Sequence, residues 1–147
     1  MKFSDDITRR DKVLRELAAD TPLRFRIQGC CMSPLLEDGA VVEITDKRFY
    51  WPGDVLVFRG RDGRVLVHRL IGFYPCFGGI RYITKADRAF QPDASVGRQR
   101  ILGVVKGGEA APALANVPFA HRFRALVFFL LFGIKKSMRQ DSATHSL

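Results

Sequence analysis

Long apolar runs are missing from this chain of 147 residues. The longest, residues 125–134 (ALVFFLLFGI), covers ten positions, about half of what a membrane-spanning helix needs. Residues 1–10 (MKFSDDITRR) carry charges where a cleavable signal peptide needs an apolar stretch. Cysteine is scarce: Cys30 and Cys31 are adjacent and Cys76 stands alone. That number excludes a disulfide framework, and the missing Cys-x-x-Cys spacing argues against zinc. Reduced thiols suit the cytosol, so a cytoplasmic or peripherally membrane-associated protein is expected. There is no repeat of 20–50 residues, which excludes solenoids and propellers. The 13 Gly and 7 Pro follow no period, which excludes collagen-like and low-complexity classes.

What is present suits one globular domain. The hydrophobic fraction is 47%, enough for a core. Lys and Arg number 24 against 15 Asp and Glu, a net charge of +9. Such a field favours anionic partners without choosing among nucleic acid, an anionic membrane and an acidic peptide.

Residues 4–19 read as a helix, with Ile7, Val13, Leu14, Leu17 and Ala18 on one face and Thr8 and Asp11 at capping-box spacing; Thr21 and Pro22 end it. Residues 23–28 alternate apolar and polar as a strand with one wet face. Further strands are expected at 41–44, 55–58, 65–70, 80–84 and 101–105, with the clearest hairpin turning around Asp62 and Gly63. Many short strands between Gly/Pro turns give a mainly β fold, a barrel or coiled sheet. The expected organisation is an N-terminal helix at 1–22, a β domain at 23–108, an Ala/Pro linker at 109–120, a basic apolar helix at 121–140 and a polar tail at 141–147. The HRFR and KKSMR flanks of the apolar run suit a helix lying on a membrane surface or docking a partner.

Five segments carry the functional signal: Gly29-Cys30-Cys31-Met32-Ser33-Pro34-Leu35, Gly53-Asp54-Val55-Leu56-Val57-Phe58, Val67-His68-Arg69-Leu70-Ile71-Gly72, Thr84-Lys85-Ala86-Asp87 with Asp93 beyond, and Ile101-Leu102-Gly103-Val104-Val105. In this order they resemble the boxes of the signal peptidase I superfamily, which includes the self-cleaving SOS repressors. The nucleophile box of that family reads Gly-x-Ser-Met-x-Pro, and in its archaeal and endoplasmic-reticulum branch the base is the His of a His-Arg pair. The resemblance spans roughly residues 23–106. It implies a signal-peptidase-like β fold with Cys31 at the nucleophile position, His68 as base, Asp87 on the Asp of a Lys-Gly-Asp stretch and Asp93 near the second acidic position. It also implies an extended substrate, a leader or signal segment with small residues at the cut, and work at a membrane. No cofactor or metal is expected.

Cysteine in place of serine is compatible with acyl transfer, since a thiolate beside an imidazole is a strong nucleophile. Cys30 is a rival nucleophile, and a Cys30–Cys31 redox pair is a third option. Gly29 stands where some relatives carry an assisting hydroxyl, so the oxyanion has to rest on backbone N–H groups. Asp87 has a plainer alternative as the partner of Arg69 or Arg88, and Asp38 and Asp54 read as turn residues. Cys30 and Cys76 fit core packing. Two other readings stand beside the peptidase: an inactive peptide-binding module of the same fold, and a basic nucleic-acid-binding barrel in which Phe49, Tyr50 and Trp51, flanked by Lys47 and Arg48, stack on bases. The single helix before the β domain leaves no room for a helix-turn-helix, which disfavours the SOS-repressor arrangement, and nucleic acid is the least favoured partner.

Overall fold

The computed structural model describes residues 2–29 and 31–108, together with 120, 122, 123, 126, 127, 130 and 131. A helix, α1 (Lys2–Asp20), precedes seven strands: β1 (Leu23–Arg26), β2 (Val41–Thr45), β3 (Val55–Arg59), β4 (Val65–Cys76), β5 (Gly79–Lys85), β6 (Val96–Gly97) and β7 (Ile101–Gly108). All lie in one sheet in the order β1-β2-β7-β3-β4-β5-β6, and every pair is antiparallel. The sheet curls into a half-barrel whose outer strands, β1 and β6, do not pair with each other.

The mainly β expectation holds, with four differences. Strand β4 is longer than its apolar pattern suggests, because it continues past a bulge between Leu70 and Gly72 as far as Cys76. Strand β6 has two residues, too short to leave a periodic signal. Thr8 and Asp11 form no capping box, since both lie inside α1. On α1, Asp11 and Ala18 are buried and Leu14 is partly so, whereas Val13 and Leu17 are half exposed.

Strands β3 and β7 are covered on both sides, which is why they read as unbroken apolar runs. Val55 and Val57 of β3 join one core cluster with Val42, Ile44, Val67, Leu102, Met32 and Leu36. Leu56 and Phe58 join the other, with Leu70, Tyr82, Val96, Ile101 and Val104. Helix α1 is fastened by a bidentate ion pair between Asp11 and Arg59 of β3, and by Asp46 N–H donating to Ala18 O at 3.0 Å.

The expected linker at 109–120 and tail at 141–147 fall outside the described residues except for residue 120. Of the expected helix at 121–140 only residues 122, 123, 126, 127, 130 and 131 are described, all with helical backbone, and the rest lies outside the described residues. Among the described residues no helix is long and apolar enough to cross a membrane.

Candidate functional site

His68 sits on β4 opposite Leu56 of β3. Its side chain therefore shares a face with Leu66 and Leu70, while Val67 and Arg69 point the other way. The ring packs edge-on against Phe58, centroids 5.8 Å apart, and the residue is 7% exposed. Its Nδ1 lies 2.6 Å from Asp93 Oδ2. An ionised carboxylate only accepts, so Nδ1 is the nitrogen that donates, and in the neutral imidazole Nε2 then carries the lone pair. Among the described residues Nε2 has no hydrogen-bond partner.

Asp93 is held from two directions. Its N–H donates to Thr84 O at 2.8 Å, and Thr84 Oγ1 donates to the same Oδ2 at 2.8 Å. Thr84 belongs to β5, faces Leu70 across β4 and is completely buried. Sequence reasoning named Thr84 only as the first residue of the segment ending at Asp87 and gave it no role.

Cys31 lies in the irregular stretch between β1 and β2. That stretch is closed at its base by Ile27 N–H to Ala40 O (2.8 Å) and Gly39 N–H to Ile27 O (2.9 Å). It is anchored by the buried side chains of Met32 and Leu36. Gly29 has φ +91, a backbone that side-chain-bearing residues rarely adopt, and its N–H donates to Asp38 Oδ1 at 2.8 Å. Glycine at this position thus has a conformational reason. Cys31 is partly buried and packs against the cluster that contains Met32 and Val67. No hydrogen bond joins its thiol to His68 among the described residues. The link between the two is indirect: Arg88 N–H donates to Cys31 O at 3.3 Å, and the loop after β5 that carries Arg88 runs on to Asp93.

Asp87 is not at the imidazole. Arg69 grips it with two bonds, Nε to Oδ1 at 2.9 Å and a terminal nitrogen to Oδ2 at 2.8 Å, and also donates to Gly53 O at 3.1 Å. The expected catalytic Asp87 is therefore a clamp between β4, the loop after β5 and the turn before β3, and Asp93 is the carboxylate that meets His68. Asp54 is a turn former as read, with more attached to it. Its buried carboxylate accepts from Trp51 N–H at 3.0 Å and faces Lys47 at 3.4 Å and Arg122 at 3.5 Å. Burial holds the Lys47 ammonium below its ordinary pKa despite Asp54, and the neighbouring Lys106 and Arg122 push the same way.

Cys76 is exposed at the end of β4, so it is not core filling; Cys30 lies outside the described residues. An apolar hollow of about 310 Å³ is lined by Phe49, Tyr50, Trp51, Phe73, Ile80 and Tyr82. Tyr82 and Thr84 are two apart on β5, so the hollow opens on the face that His68 occupies. Among the described residues no group of three or more His, Cys, Asp or Glu side chains converges as a metal site requires. No protein-family model matches the chain, and no curated protein matches it.

Proposed function

We propose that this chain is an endopeptidase of the signal-peptidase-like type, with Cys31 as nucleophile, His68 as general base and Asp93 as the carboxylate that orients the imidazole. One observation carries the reading: His68 Nδ1 is tied to Asp93 Oδ2 at 2.6 Å, while among the described residues Nε2 has no hydrogen-bond partner. Such an imidazole accepts a proton at a defined nitrogen and is stabilised once charged.

In the reaction, His68 Nε2 takes the Cys31 thiol proton and the sulfur attacks the scissile carbonyl carbon. The C–N bond then breaks as the imidazolium protonates the leaving amine. Water, deprotonated by the same Nε2, hydrolyses the thioester and releases Cys31. Cys31 packs with the cluster of Val67, while His68 shares the face of Leu66 and Leu70, so the first step requires the stretch between β1 and β2 to carry the thiol round to Nε2. The substrate is an extended peptide, and the hollow beside Trp51 and Tyr82 receives one of its apolar side chains. Arg122 and the exposed Phe123, Leu130 and Leu131 fit peripheral contact with an anionic membrane.

A second reading, a peptide-binding module without turnover, draws on the packing of Cys31 against the apolar cluster that contains Met32 and Val67 and, among the described residues, on the missing bond to His68. Alkylation of Cys31 by iodoacetamide near neutral pH, followed by mass spectrometry, separates the two. The peptidase requires His68→Ala to slow alkylation at least about ten-fold, because the thiolate is the reactive form. Asp93→Ala should follow it and Asp87→Ala should not. Equal rates in the parent and His68→Ala proteins would leave the binding module as the reading.

A further inference from the structure

Among the described residues the Thr84 hydroxyl makes no hydrogen bond to the thiol or the imidazole. Completely buried, it donates to Asp93 Oδ2 at 2.8 Å, the oxygen that receives His68 Nδ1 at 2.6 Å. The Thr84 carbonyl meanwhile accepts from Asp93 N–H at 2.8 Å. One residue therefore fixes both where the Asp93 backbone leaves the loop and how its carboxylate is turned. Asp93 itself sits on a loop, with a side chain 26% exposed. A carboxylate on a loop has rotational freedom that a strand side chain lacks, and the hydroxyl from β5 removes it.

We propose that Thr84 is a positioning residue: its hydroxyl holds Asp93 Oδ2 against His68 Nδ1, so that the imidazole keeps one tautomer and presents Nε2 as the proton acceptor. The assignment rests on the peptidase reading for its consequence in catalysis, but the geometry it describes is testable without turnover. Losing the hydroxyl frees Oδ2 to rotate away, and the imidazole then samples the tautomer in which Nε2 carries the proton and accepts nothing.

The test compares Thr84→Val, which removes the hydroxyl at nearly constant shape, with Thr84→Ser, which keeps it. The readouts are the ¹⁵N and ¹H resonances of the His68 ring and the iodoacetamide rate at Cys31. Thr84→Val should mix the tautomers and slow alkylation about 2–13-fold, the loss of one ordinary hydrogen bond. Thr84→Ser should restore the parent values. A folded Thr84→Val protein with unmoved His68 resonances overturns the proposal. If Thr84→Val does not fold, the parent protein still decides. Its Thr84 hydroxyl proton should exchange slowly and show a nuclear Overhauser contact to the His68 Nδ1 proton, and the absence of that contact overturns the proposal. A tautomer change in Thr84→Val alongside equal alkylation in parent and His68→Ala proteins refutes the peptidase reading while leaving the Thr84 geometry in place.

Discussion

Replacing Asp11 by Leu should cost this protein about 3 kcal/mol, because it strands a guanidinium inside the seam between α1 and β3. Arg59 gives Asp11 two charge-assisted bonds, Nε to Oδ2 at 2.7 Å and a terminal nitrogen to Oδ1 at 2.6 Å, and a third bond runs to Gly63 O at 2.8 Å. Asp11 is 3% exposed and the Arg59 side chain 20%. The Asp11 hydrogen bonds hold the Arg59 pKa above its ordinary value against the opposing effect of burial, and without them the guanidinium, which is effectively always protonated, stays charged. Breaking a buried pair from one side costs about 3–5 kcal/mol. The surviving bond to Gly63 and the partial access of water to Arg59 place this case at the low end. About 3 kcal/mol corresponds to a fall of roughly 10 °C in Tm for a domain of this size. Urea unfolding followed by circular dichroism measures it directly. The double variant Asp11→Leu/Arg59→Met removes the stranded charge and should recover at least about 2 kcal/mol of the loss. A single variant that loses less than about 1 kcal/mol, or a double variant worse than the single, would refute the reasoning and reduce the pair to a surface contact.

Two further outcomes follow from the same geometry. A Cβ at position 103, in the middle of β7, would lie 2.8 Å from Thr45 O of β2, so Gly103→Ala should destabilise by about 1–3 kcal/mol in urea unfolding as the two strands are forced apart. Tyr50 is pushed above the ordinary tyrosine value of 10.0, first by burial and then by its hydroxyl donating to Asp46, so above that pH the unfolded chain releases a proton that the folded one keeps. Stability from Tyr50 is thus complete below 10.0 and falls as pH rises beyond it, and the urea midpoint of Tyr50→Phe should decline less steeply over that range.

The hairpin that carries His68 was legible because residues 55–58 and 65–70 are β-branched and apolar on both sides of Asp62 and Gly63, a purely local signal. The place of His68 on the second strand of that hairpin followed from it. Asp11 was not legible: three positions after Thr8 it imitates a capping box, and its true partner lies 48 residues away. Helical periodicity likewise put Val13 and Leu17 on the buried face, whereas the packing of α1 selects Asp11, Leu14 and Ala18. Asp87 and Asp93 were both named as acidic candidates, and spacing alone does not rank them. Arg69 settles the matter by engaging Asp87, and only the register of β4 against β5 reveals that. Thr84 was hidden for the same reason, since its role depends on a loop folding back to its own carbonyl.

The contact of Arg88 with Cys31 and that of Asp93 with His68 belong to one short excursion of the chain after β5. The Cys31 carbonyl and the His68 ring therefore bond to one and the same loop. Lengthening that loop by a single residue between the two contacts would shift the sulfur and the imidazole relative to each other, so insertions there should be far less tolerated than insertions of the same size in the turn at 60–64.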